Sequence, residues 1–167
     1  MLPDKGGKWV AAIMGEISGR FPPSEPCACE TCLAFCARPG WWAVEEAQRA
    51  LGGGLGNRMM LEVAPERTFG VLSPAFKGCE GLIATNNYAR NGCTFLENSK
   101  CSLHGSEFQP LECRFCHHTR QGQGVLCHGA LEKDWARPHG RQLVRRWCKQ
   151  TGFWDLLDAF GLPQLKK

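Results

Sequence analysis

The chain has 167 residues, 43% of them apolar, with twenty Lys and Arg against sixteen Asp and Glu and a formal charge of +4. That length suits one domain of about 100 to 200 residues, and no apolar run approaches the ~18 residues that a membrane-crossing helix needs. The net charge excludes little, because each of the eleven cysteines that binds metal as a thiolate subtracts from the basic excess.

The opening stretch, MLPDKGGKWVAAIMGEISGRFPP, places Trp9, Val10, Ile13, Met14 and Ile17 at helical spacing before Gly19 and the Phe21-Pro22-Pro23 break. This predicts a short amphipathic helix. Gly15 and Glu16 interrupt its apolar part and no small-residue cleavage pattern follows, so it does not read as a secretory leader. The expected location is the cytoplasm, where thiols stay reduced and disulfide frameworks are rare. Pro22, Pro23 and Pro26 then predict an extended run into the first cysteines. Pro39-Gly40 reads as a turn, and WWAVEEAQRAL, closed by Gly52-Gly53-Gly54, as a helix with a glycine stop.

Residues 59–63 and 68–72 are β-prone runs around Pro65-Glu66-Arg67 and predict a hairpin. Residues 73–106 are rich in Gly, Asn and Ser without periodicity, the kind of irregular segment that bound metal can order. After Pro138, GRQLVRRWCKQTG carries Leu143, Val144, Trp147 and Cys148 on one helical face and stops at Gly152; FWDLLDAFG reads as a last short helix. Gly52-Gly53-Gly54-Leu55-Gly56 lacks the Gly-Lys-Ser/Thr ending of a phosphate loop and follows a helix where such loops precede one. The expectation is a small single α+β domain over residues 1–167, with short helices, a minor β-hairpin and an irregular cysteine-rich metal-binding centre. Its core spans residues 27–118, with a C-terminal helical segment at 138–161.

Nine of the eleven cysteines fall into two clusters: Cys27, Cys29, Cys32 and Cys36, then Cys79, Cys93, Cys101, Cys113 and Cys116. On a helix, Cys29, Cys32 and Cys36 stand at i, i+3 and i+7, along one face. In a turn, Cys29 and Cys32 form the C-x2-C knuckle of structural zinc sites. The second cluster ends in the pair Cys113-x2-Cys116, followed directly by His117 and His118 and later by Cys127-His128. Soft thiolates suit zinc, copper(I) and iron–sulfur clusters. No short iron–sulfur spacing and no zinc-ribbon spacing occurs intact, so the choice among zinc, iron and an iron–sulfur cluster stays open. The packing alternative, a small buried hydrophobe, fits Cys148 best and is an even choice for Cys79 and Cys127. Adjacent side chains tend to diverge, so at most one of His117 and His118 is expected at a metal, with His104 and His139 solvated.

CETCLAFC, the turn ARPG, the WWAVEEAQRAL helix and GCTFLENSKCSLHGSEFQPLECRF together resemble the YkgJ-type cysteine-cluster family of zinc- or iron-chelating domains. The resemblance spans about residues 29–114. Cys29, Cys32 and Cys36 match the first, second and fourth cysteines of that family's leading motif, with Phe35 at the third. Cys93 before Phe95-Leu96, Cys101-Ser102-Leu103, and Cys113-Arg114 match its later elements. The resemblance implies metal ligation by Cys29, Cys32, Cys36, Cys93, Cys101 and Cys113, with Cys27, Cys79 or Cys116 available to compensate for the replaced cysteine; Cys116 is the next ligand expected. Related motifs in flagellin lysine methylases accompany an iron–sulfur cluster.

The leading expectation is a metal-binding protein in which thiolates from both clusters converge on one or two centres. One alternative is a metal-dependent enzyme acting on a protein or small molecule, although Glu97, Glu107 and Glu112 form no recognisable acid/base pattern. Another is a zinc-stapled interaction module using the basic face of Arg141, Arg145, Arg146 and Lys149. A solvated helix surface explains that face more simply than nucleic acid does. Trp41-Trp42 is expected to shield the sulfurs from water.

Overall fold

Three buried indoles tie the elements together. Trp42, Trp135 and Trp147 are each fully buried, and a buried indole keeps its stability only if its N–H finds an acceptor. Trp42 Nε1 donates to the Phe108 carbonyl, Trp135 Nε1 to the Trp42 carbonyl and Trp147 Nε1 to the Gly56 carbonyl, all at 2.8 Å. Each bond joins segments far apart in sequence, so the rings fix register as well as filling volume.

The computed structural model describes residues 5–167; Met1 to Asp4, the first residues of the opening stretch, lie outside them. In chain order the described residues form α1 (Lys5–Arg20), α2 (Glu30–Ala37), α3 (Val44–Gly52), β1 (Met59–Val63), β2 (Gly70–Pro74), β3 (Leu96–Glu97), β4 (Lys100–Cys101), α4 (Val125–Ala136) and α5 (Pro138–Thr151), with short 3₁₀ turns between them. This is the expected small α+β domain. The main core gathers α3, the β1–β2 hairpin, α5 and the C-terminal turns around Trp42, Leu61, Leu72, Trp135, Trp147 and Phe153. A second cluster packs Ile17 of α1 against Leu111, Phe115, Cys127 and Leu131.

Several boundaries differ from the sequence reading. Trp41 and Trp42 precede α3, which starts only at Val44. Its first free N–H groups are met by carboxylates, Ala43 N by Glu46 Oε2 at 2.9 Å and Val44 N by Asp134 Oδ2 at 2.8 Å, as helix N-termini require. β2 begins two residues later than expected because a turn over 64–67, with Arg67 at φ 59, brings Val63 opposite Gly70. The last short helix expected from FWDLLDAFG is a 3₁₀ helix over Phe153–Leu156, and a further one follows at Pro163–Lys166. Helix α4 has no counterpart in the sequence reading. Its buried positions are Cys127, Ala130, Leu131, Asp134 and Trp135, a helical stripe interrupted by an acid and two small residues. Val125 and Leu126 meanwhile are 78% and 61% exposed, so its apolar pattern does not mark the buried face.

Helices α4 and α5 meet at a corner that only glycine fits. A Cβ on Gly140 would stand 2.5 Å from the Trp135 carbonyl oxygen and 2.8 Å from its Cα, whereas one on Gly129 would meet nothing within 4 Å. Gly140→Ala is therefore expected to destabilise the fold by about 1–3 kcal/mol through overpacking. Gly129→Ala should be neutral or stabilising by about 0.5–1 kcal/mol, since it only removes backbone freedom within a helix. Urea unfolding of the two variants, read by tryptophan fluorescence, checks the contrast.

Candidate metal centre

The end of α1 and the extended run before α2 are held by residues within and just after the second cysteine cluster. Arg114 Nη1 donates to the Ser18 and Phe21 carbonyls at 3.0 and 3.1 Å, Arg120 Nη1 to the Pro22 carbonyl at 2.7 Å, and His104 Nε2 lies 2.7 Å from the Ser24 carbonyl. These bonds deliver Cys27 to the start of α2. Cys29 is the N-cap, and its sulfur accepts the Cys32 N–H at 3.5 Å. Cys32 then points inward from the first turn of the helix and is buried.

His118 reaches this point from the other side. Its Nδ1 lies 3.2 Å from Cys32 Sγ, 3.6 Å from Cys27 Sγ and 3.7 Å from Cys29 Sγ, and its backbone N–H donates to Cys32 Sγ at 3.2 Å. His117 stacks on it with ring centroids 4.3 Å apart. One donor atom each from Cys27, Cys32, His117 and His118 falls within 4.8 Å of all the others, so this cysteine/histidine group could hold a metal ion. The expectation that only one histidine would reach the site is corrected: His117 is extended and His118 opens a 3₁₀ turn, and that change of backbone direction stacks the rings instead of splaying them. His117 Nδ1 accepts the Thr119 backbone N–H at 3.2 Å and lies 2.7 Å from the Thr119 hydroxyl, contacts that fix the orientation of the ring.

The other five motif cysteines, an all-sulfur group, lie near one another past the far end of α2, but among the described residues only the mixed cysteine/histidine group brings its donor atoms within 4.8 Å of one another. Cys116, Cys101, Cys32 and Cys93 are near enough to Cys36 to disfavour its thiolate, and its sulfur lies 4.0 Å from the Cys116 carbonyl. Cys113 and Cys116 hydrogen-bond through their side chains, and Cys93 is the next charged neighbour of Cys113. Two local devices set Cys93 and Cys101 side by side. A bridge pairs Cys93 with Phe76. β3 and β4 reverse through Asn98 and Ser99 at φ 50 and 62, putting Cys101 opposite Leu96, the backbone of a type I′ hairpin turn. Gly40 allows Cys113 in, for a Cβ there would stand 2.7 Å from Cys113 N and 2.8 Å from its sulfur. The α2 stripe of three sulfurs is thus divided, Cys29 and Cys32 belonging to the mixed group and Cys36 to the all-sulfur one.

Placement sets the acidity of these groups. Burial pushes Cys32 up to about 11 and Cys36 up to about 12, while the Cys32 N–H holds Cys29 below its ordinary value. The S–H of Cys113 holds Cys116 low, and burial keeps His117 low, in the neutral form that ligates metals. All eleven cysteines are free thiols. Cys127 and Cys148 are fully buried within apolar clusters and Cys79 packs with Met60, Ala75 and Phe76, so these three serve as packing residues. Trp42 lies in the main core with Cys93, whereas Trp41 turns to Glu62 and His128. Of the basic face, Arg141 donates to the Ala136 carbonyl, Arg145 to the Lys167 carbonyl, and Lys149 sits over the Trp154 ring. No helix among the described residues is long and apolar enough to cross a membrane.

Compared with known proteins, the chain matches no family model, no curated protein and no solved structure.

The buried thiols give the metal-free protein a defined alkaline limit. Cys32 and Cys93 at about 11 and Cys36, Cys127 and Cys148 at about 12 lie above the ordinary value of 9.0. A group whose folded value is raised contributes stability that is complete below its unfolded value and lost as pH climbs through the folded one. Thermal unfolding of chelator-treated protein should therefore move to lower temperature from about pH 9 upward. Cys127→Ala/Cys148→Ala should shallow that slope.

Proposed function

We propose that this protein is a zinc-binding cysteine-cluster domain, with the mixed group at the N-terminus of α2 as its principal site. The observation that carries the reading is the His118 imidazole facing three sulfurs at 3.2, 3.6 and 3.7 Å. Zinc bound at about 2.3 Å to sulfur and 2.0–2.1 Å to nitrogen in a tetrahedron spaces sulfur and nitrogen by roughly 3.6 Å, so little movement is needed to close the donors on an ion. Mixed sulfur and imidazole donors suit zinc and disfavour magnesium or calcium, which take oxygen. Cys27, Cys32, His117 and His118 are the four donors within reach of one another, and Cys29, 3.7 Å from His118 Nδ1, is the alternative to His117.

The all-sulfur group of Cys36, Cys93, Cys101, Cys113 and Cys116 is the second centre of this proposal. It contains four of the six positions that carry the resemblance to the YkgJ-type family, and Cys29 and Cys32 of the mixed group are the other two. Its sulfur-only donor set accepts zinc or iron in an iron–sulfur cluster. The centres lie one helical turn apart through Cys32 and Cys36, so occupation of either restrains α2 beside the other.

Elemental analysis of anaerobically purified protein is expected to give at least one equivalent of metal per chain. Cys32→Ser and His118→Ala should each empty the mixed site, and either Cys29→Ser or His117→Ala should do the same, identifying the fourth ligand. Gly40→Ala, which displaces Cys113, should reduce the metal of the second centre alone. A colourless protein with zinc at both centres means two zinc sites; broad visible absorption lost in Gly40→Ala means iron in the second. Metal-free protein in all cases would overturn the reading.

A further inference from the structure

Between the β1–β2 hairpin and α4 lies a cavity of about 340 Å³ that takes no part in either thiol group, a size within the range of small-molecule sites. Its walls are the rings of Trp41 and Phe69 with Val71, and its polar groups are carboxylates: Glu62 within, Glu66 and Glu132 at the sides. The one cationic residue among the lining, Lys133, places its ammonium 4.1 Å from the centroid of the Trp9 ring, and Trp9 is not part of the cavity. The lining is therefore aromatic and richer in acid than in base, with Glu132 facing His128 at 3.4 Å and Glu62 bonded to the Trp41 indole.

We propose that this cavity binds a small organic ammonium ion whose apolar body lies against Trp41 and Phe69 and whose charge is met by Glu62. Three contacts hold Trp41 in position. Its Nε1 donates to Glu62 Oε2 at 2.6 Å, its backbone N–H to Glu112 Oε1 at 3.4 Å, and the His128 ring lies 4.4 Å from its own. That imidazole is in turn held between Glu112 Oε2 at 2.9 Å and Glu132 Oε1 at 3.4 Å. An indole held in place beside a carboxylate is the arrangement that attracts ammonium ions over neutral or anionic ligands, through the ring quadrupole and the charge together. Burial pushes the Glu62 carboxyl above the ordinary carboxylate range, and the nearby Glu112 adds to the effect. A desolvated acid of this kind is stabilised by an arriving cation far more than an exposed one. A packing role alone would be served by glutamine, which accepts the same indole hydrogen bond without the charge.

The test is calorimetric titration of the full chain with 2-phenylethylammonium and, as its neutral counterpart, 2-phenylethanol. The ammonium should bind, the alcohol about tenfold or more weakly. Glu62→Gln should weaken the ammonium about tenfold and leave the alcohol unchanged, and Trp41→Phe should weaken both. Equal binding of the two ligands by the natural chain, binding of neither, or full ammonium affinity in Glu62→Gln would each overturn the proposal. The comparison of ligands on the unaltered protein decides the matter even if a variant fails to fold.

Discussion

The structure depends on the return of residues 113–118 to helix α2. His118 meets Cys27, Cys29 and Cys32 across separations of 91, 89 and 86 residues, and the same return seats Cys113 against Gly40 and Cys116 near Cys36. Closing loops of that length costs chain entropy, and several soft thiols placed together gain little from one another in the absence of an ion. What opposes that cost in the protein itself is a set of ordinary bonds: Arg114 and Arg120 to the carbonyls of the extended run, Glu112 to Trp41, and Glu46 to the Leu111 N–H at 3.0 Å. A metal ion held by the mixed group would add to these through bonds from both ends of the loop.

Helix α2 is short, eight residues, and its faces are not divided into apolar and polar halves. Its sulfur positions follow another logic. Cys29 caps it, Cys32 looks toward the histidines and Cys36 toward the all-sulfur group. The helix thus carries sulfurs at both ends, its start facing the histidines. The tryptophan-centred core, to which Cys93 also belongs, draws on α5, the hairpin and α3 for a conventional apolar interior. In the reading proposed above, one part of the protein stands on burial and the other would be completed by ligation, as structural metal sites couple to folding.

Much of this is legible in the sequence. The spacing of Leu143, Val144, Trp147 and Cys148 marks α5, Gly152 marks its left-handed stop, and clustered cysteines mark the chemistry. What the sequence conceals has physical reasons. Helix α4 buries Cys127, Ala130 and Asp134 and exposes Val125 and Leu126, so hydrophobic periodicity gives no signal. Cys27 and His117–His118 stand only as reserves in the sequence reading, because sequence distance hides that three carbonyls near residue 21 are bonded by arginines near residue 117. The position of the histidines directly after Cys113-x2-Cys116 is the signal available, and the 3₁₀ turn that stacks them is not readable from it. Likewise the Asn98-Ser99 reversal that brings Cys101 to Cys93 lacks the glycine that usually announces such a turn.

The central claim is that sulfur and imidazole donors from the two cysteine regions share one zinc ion. X-ray absorption at the zinc edge of the purified protein measures that directly. The account predicts a four-coordinate shell with sulfur at about 2.3 Å and imidazole nitrogen at about 2.0–2.1 Å, the nitrogen contribution falling in His118→Ala. A shell of oxygen scatterers, or a sulfur and nitrogen shell that His118→Ala leaves unchanged, would contradict it.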